Sequence, residues 1–190
     1  MLSRKLYILV DSREQQPLLF PSVIPVWKPR RNGGADRGAR PAKPHYMARV
    51  VVERTPLKSG DYTLKGLSDV CVIERKKNIE SEITHNLLSA DRPRFLRALN
   101  RLSESCAHPY LWVERLLASG FEKDILNNRF CIDTLYAECQ FRGIQVIWGG
   151  LVGKTVAAKR RVGEVAMRLM LSHALRERRW PLTKANSRHA

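Results

Sequence analysis

Val70-Cys71-Val72-Ile73-Glu74-Arg75-Lys76 runs from four apolar residues directly into three charged ones. A short apolar run rich in Val and Ile reads as a buried strand. Side chains alternate across a strand, so Glu74 and Lys76 face one side of the sheet and Arg75 faces the other. The strand is therefore anchored at its start and chemically armed at its end.

The same pattern recurs on both sides of it. Upstream, Leu6 to Val10 is an apolar strand that stops at Asp11-Ser12-Arg13-Glu14. Met47 to Arg54 (MARVVVER) reads as a second strand. Lys58-Ser59-Gly60-Asp61 is a turn, and Tyr62 to Leu64 a short strand after it. Downstream, Asn78 begins a helix with Ile79, Ile83, Leu87 and Leu88 at helical spacing. A second helix runs from Pro93 to Ser105 and buries Phe95, Leu96, Leu99 and Leu102. Tyr110 to Glu114 is a strand that ends in a carboxylate. Ile132 to Phe141 is a helix, Ile144 to Trp148 a strand, and Thr155 to Arg178 a long last helix. Strands alternating with helices predict an α/β fold.

The chain has 190 residues, with 34 Lys and Arg against 18 Asp and Glu, a net charge of +16. Its 44% hydrophobic content excludes a wholly disordered basic tail. No apolar run approaches the ~18 residues of a membrane span. Leu6 to Val10 imitates a signal sequence, but stops well short of the roughly 7–15 apolar residues a signal needs. Such a charge favours a polyanion, most often nucleic acid. The cysteines at 71, 106, 131 and 139 form no C-x-x-C pair, so they read as free, buried thiols of a reducing, intracellular compartment, cytoplasmic or nucleoid-associated. The five histidines are scattered, with none at ligand spacing. A phosphate loop is excluded at Gly153-Lys154-Thr155, because Trp148 stands where its first glycine belongs.

The positive charge is unevenly placed. Residues 28–46 mix Pro29, Pro41, Pro44, Gly33, Gly34 and Gly38 with Lys28, Arg30, Arg31, Arg37, Arg40 and Lys43. This reads as a flexible basic insertion between two strands, and six cations against Asp36 favour a DNA-contacting arm over a mere solubilising loop. Arg94, Arg97 and Arg101 form a ridge on one helix face, either a phosphate-tracking surface or an ordinary solvated one. Residues 154–190 carry ten basic residues against Glu164 and Glu177.

Asp61 with Glu74-x-Lys76 supplies what phosphodiester hydrolysis needs. Two carboxylates hold a hard divalent cation through oxygen. The cation activates water and polarises the phosphoryl group. A neighbouring lysine stabilises the developing charge.

Val10-Asp11-Ser12-Arg13-Glu14, Ser59-Gly60-Asp61-Tyr62 and Ile73-Glu74-Arg75-Lys76, in that order and each beside a strand, resemble the motifs of the XPF family of structure-specific DNA endonucleases. The resemblance spans residues 5 to 178, interrupted by the insertion. It implies a restriction-endonuclease-like core with a central mixed β-sheet flanked by helices. It implies Mg²⁺ (or Mn²⁺) held by Asp61 and Glu74, Lys76 as the catalytic lysine, and Asp11 adding a carboxylate directly or through water. Arg13, Glu14 and Arg75 match motif positions, as phosphate contacts or as ion pairs that order the site. Arg75, on the opposite strand face, is expected to pair with an acidic residue. Glu80 stands where the family has an aspartate, and is expected to support the site.

The expected organisation is one nuclease domain over 1–180 and a disordered tail over 181–190. The expected activity is metal-dependent cleavage of branched, forked or flap DNA, with a role in repair or recombination. A second reading is a catalytically inactive nucleic-acid-binding scaffold of the same fold. The resemblance also implies a homodimer, with Val162, Val165, Leu169 and Leu175 as one candidate face that could equally be core. With twelve residues after Arg178, no helicase or helix-hairpin-helix module is expected within this sequence. DNA binding is therefore expected from the nuclease domain, its insertion, its C-terminus, or a partner such as a separate helicase.

Overall fold

A seven-stranded mixed sheet organises the chain in the computed structural model, which describes residues 4–27, 44–77, 80–114, 125–150 and 155–180, without the side chains of 80–81 and 125–128. The strands are β1 (Arg4–Asp11), β2 (Val23–Val26), β3 (Tyr46–Thr55), β4 (Tyr62–Leu64), β5 (Cys71–Lys76), β6 (His108–Val113) and β7 (Gln145–Trp148). Their order across the sheet is β2-β3-β1-β4-β5-β6-β7. β1 with β3, β5 with β6 and β6 with β7 are parallel; the other neighbours are antiparallel. The fold is α/β, as the alternation of elements implies.

The helices are α1 (His85–Leu88), α2 (Arg92–Ser105), α3 (Ile125–Phe141) and α4 (Val156–Arg176); a π-helical turn, Glu80–Thr84, leads into α1. Two cores flank the sheet. On one face α4 places Ala166, Met167, Met170 and Leu171 against Leu6, Ile8, Ala48, Tyr62 and Ile73. On the other, Leu87, Phe95, Leu99, Cys131 and Leu135 cover Val72, Leu111 and Val113. Each fully buried large side chain contributes about 1.5–3 kcal/mol relative to leaving it exposed. Val162, Leu169 and Leu175 pack against the first core, so of the four apolar α4 residues only Val165 is substantially exposed. The free cysteines Cys71, Cys131 and Cys139 are buried and Cys106 is half-buried.

The element boundaries differ from the sequence reading at particular residues. β2 is an additional strand; Pro25 argues against a strand in sequence, and is tolerated because β2 is the sheet edge. α3 begins at Ile125, seven residues before Ile132, through a segment whose Asn127-Asn128 pair has weak helix propensity. Val70 closes a turn onto the Leu67 carbonyl, and the Ile144 N–H caps α3 by donating to the Cys139 carbonyl, so both stand just outside their strands. Tyr46 belongs to β3 and to the partly buried shell, so the insertion ends before it. The insertion connects β2 to β3, whose facing ends, Val26 and Tyr46, are paired.

Gly163 explains how closely α4 approaches the 18–20 segment. A Cβ there would lie 2.0 Å from the Leu19 carbonyl oxygen.

Candidate active site

Backbone hydrogen bonds draw the three motif carboxylates together. The Asp11 N–H donates to the Asp61 carbonyl at 2.9 Å, and the Asp61 N–H donates to the Ile73 carbonyl at 2.8 Å. The ends of β1 and β5 thus meet at one residue, Asp61. Gly60 makes the turn possible: its φ is +70°, and a Cβ would stand 2.2 Å from Val72 Cγ1. The Arg75 N–H then donates to Asp61 Oδ2 at 2.7 Å, fixing that carboxylate.

The alternation of β5 sorts its charged end. Val72 belongs to the α2 side and Cys71 and Ile73 to the α4 side. Glu74 and Lys76 share the side of Val72, and Lys76 Nζ donates to Glu74 Oε1 at 2.6 Å. Arg75, 5% exposed, faces the other way. Its Nε donates to Glu114 Oε1, its Nη1 donates to the Gln16 carbonyl at 2.6 Å, and Glu14 Oε1 lies 3.8 Å from Nη1. Glu14 also receives Lys77 Nζ at 2.7 Å. Asp11 is buried and its carboxylate is clasped by Arg13, whose Nε reaches both oxygens at 3.0 and 3.1 Å.

Asp11, Arg13, Glu14, Asp61, Glu74, Arg75 and Lys76 all line one cleft of about 400 Å³. Arg101 of α2 also lines it. Arg97 and Arg94, one and two turns back, are exposed along the same helix ridge. Arg30, Arg31, Arg37 and Arg40 lie outside the described residues, as does the side chain of Glu80.

The electrostatics are uneven. Burial, reinforced by the charge of Glu74, pushes the Asp61 carboxyl up to about 7. Hydrogen bonds from Arg13 hold Asp11 below its ordinary range, against the effect of burial. Burial works against charge on Lys76 and Glu14 too. Glu74 nevertheless raises the lysine, and Lys77 with the Gln16 N–H lowers the glutamate.

A hard cation needs oxygen donors within reach of one another. Asp61 and Glu74 provide them: the charge of Glu74 disfavours the charged form of Asp61, which a cation would relieve. Asp11 is already neutralised by Arg13. Among the described residues no group of three or more His, Cys, Asp or Glu side chains is arranged to hold a metal. The donor set fits a cation held by two carboxylates, with water and phosphate completing its shell, as Mg²⁺ accepts.

Sequence reasoning gave no role to Glu114, Lys77, Glu82 or Lys58. Glu114 carries the buried partner of Arg75; the sequence signal is a carboxylate ending an apolar strand. Glu82 Oε2 accepts the Lys77 N–H and lines the cleft, as does Lys58. Nothing in sequence marks these two.

The mixed sheet flanked by helices is an α/β architecture shared with solved XPF structures. The chain resembles XPF from Aeropyrum pernix, with a TM-score of 0.51 and 20% identity over 86% of this chain and 60% of that one. It resembles the same protein in complex with DNA, with a TM-score of 0.50 and 18% identity over 94% of this chain and 68% of that one. No family model and no curated protein matches. Among the described residues no helix is long and apolar enough to cross a membrane.

Proposed function

We propose that the chain is a divalent-metal-dependent DNA endonuclease that hydrolyses phosphodiester bonds in branched, forked or flap DNA. The observation that carries this is the pairing of Asp61 with Glu74 in a cleft that also holds the Lys76 ammonium. A cation at Asp61 and Glu74 supplies Lewis-acid polarisation of the phosphoryl group and a more acidic water. Mg²⁺ or Mn²⁺ suits that oxygen donor set.

The protein's own groups do the rest. Asp61, fixed by the Arg75 N–H, presents its carboxylate in charged form above about pH 7. Lys76 keeps a positive charge beside the position where negative charge develops on the phosphate. Arg13, largely exposed, and Arg101 line the same cleft and can seat the backbone. The basic insertion, Arg94 and Arg97 extend that grip. A homodimer, a separate helicase partner and a role in repair or recombination belong to the same reading. They derive from the family resemblance.

The test is incubation of the purified protein with labelled fork, flap and linear duplex in Mg²⁺, in Mn²⁺ and in EDTA. Metal-dependent cutting near the branch, lost in Glu74→Gln, is expected. Absence of metal-dependent cutting on every substrate, or a Glu74→Gln variant as active as the parent, overturns it. Fork binding without cutting would instead identify the inactive scaffold.

A further inference from the structure

The two faces of the sheet are covered unequally. The core beneath α4 reaches all seven strands, whereas the core beneath α1, α2 and α3 draws its strand residues only from β5, β6 and β7. The α2 side of β1, β2 and β3 therefore carries no described helix. Register sets what that face displays. Lys5 pairs with Arg49, Tyr7 with Val51, and Arg49 with Val23. Met47 is 42% and Val23 48% exposed, and neither they nor Tyr7 and Val51 belong to either core. Lys5 and Arg49 are exposed, without ion-pair partners among the described residues. Lys65 lies 5.2 Å from the Tyr7 ring centroid while paired to Glu53.

We propose that this helix-free face of β1 and β3 is a binding track for single-stranded nucleic acid leading into the cleft. Charge decides between occupants. The segment that links β2 to β3 in sequence, residues 28–43, carries six basic residues against Asp36, the same sign of charge as Lys5 and Arg49, and like charges do not attract. A polyanion is attracted. The apolar residues decide between forms of nucleic acid. A duplex offers mainly phosphates to a flat surface and would leave Tyr7, Met47 and Val51 without contacts. Unstacked bases offer π-faces that aromatic and apolar side chains cover.

The track is continuous with the cleft. Side chains two apart share a face, so Lys5, Tyr7, Leu9 and Asp11 form one row over about 20 Å, and Asp11 lines the cleft. The purpose of the track, delivering a single-stranded arm of a branched substrate, rests on the proposed nuclease activity. The binding itself does not.

The experiment is fluorescence anisotropy in EDTA, with a labelled oligothymidine and a duplex of equal length, across a salt series. The Lys5→Gln/Arg49→Gln double variant should bind oligothymidine about tenfold more weakly, with a salt slope shallower by about 1.4, two contacts at ~0.7 each. Its duplex affinity should stay near that of the parent. Met47→Ser/Val51→Thr should weaken oligothymidine binding without changing the slope. Thermal melting of each variant checks that it folds, and the glutamine pair, at exposed positions, carries the test alone if the apolar pair does not. Oligothymidine binding unchanged in the glutamine variant, or both ligands weakened equally, overturns the proposal. Because cutting is not measured, a failed track with intact Mg²⁺-dependent cleavage leaves the nuclease reading standing. A confirmed track without cleavage sinks only the latter.

Discussion

Asp61 joins the chemistry to the stability of the fold. Its folded-state pKa, about 7, lies above the ordinary value of 3.8, so the folded state binds the extra proton between those limits. Stability without metal therefore falls as pH rises from about 4 to 7, and the whole penalty is present above 7. Asp61→Asn should raise Tm in EDTA at pH 8, by about 2–4 °C for each kcal/mol recovered, while abolishing cutting; scanning calorimetry at pH 5 and pH 8 measures it. At pH 5 the gain should shrink. Asp11 and Glu14 act in the opposite sense: their lowered pKa values contribute stability above about pH 4 that acid removes. Lys76→Met tests the lysine separately. It should lower the single-turnover cleavage rate by about 10²–10³-fold, while fork affinity in Ca²⁺ stays near that of the parent.

At the scale of elements, β5 shows how far a period-2 reading reaches. Alternation alone places Glu74 and Lys76 together and turns Arg75 away, and the cleft has that arrangement. An acidic partner for Arg75 was expected, but its identity was not legible. Glu114 is 39 residues distant, and only the parallel pairing of β5 with β6 sets the two strand ends side by side. The third carboxylate was legible as a motif. An ion pair that orders the site was one of two roles open to Arg13; that its partner is Asp11 was not legible, because it depends on the turn after Asp11 rather than on spacing. β2 was hidden by Pro25, and the first turns of α3 by weak helix formers. Glu114→Ala leaves the Arg75 guanidinium buried with its main partner gone, which costs about 3–5 kcal/mol. Chemical denaturation should show that loss. Arg75→Met/Glu114→Leu, which removes both charges, should recover most of it. The double variant retains the Arg75 N–H position that holds Asp61, so it should also retain more activity than Glu114→Ala.

For the whole molecule, net charge and chemistry are separated in space. The chain carries +16, yet the cleft gathers the carboxylates of Asp11, Glu14, Asp61 and Glu74 among its cations. Steering a polyanion toward such a cleft falls to the chain's basic stretches, and the densest of these in sequence is the insertion. Its two ends are held by the β2–β3 pairing: Val26 faces Tyr46, and the His45 N–H donates to the Val26 carbonyl at 2.8 Å. The fold therefore closes there without help from the intervening chain. Replacing residues 28–44 by Asn-Gly, a dipeptide suited to a tight hairpin, should leave Tm unchanged or slightly raised, because a shorter loop costs less closure entropy. Fork affinity should fall, and the slope of log affinity against log salt should become shallower by about 0.9 for each duplex phosphate contact removed. Cleavage of fork already saturating the protein should continue at the parent rate, since the cleft residues lie on β1, β5 and α2 and on the turns beside them. A variant with unchanged affinity and slope would assign the capture of DNA to the α2 ridge and the open sheet face instead.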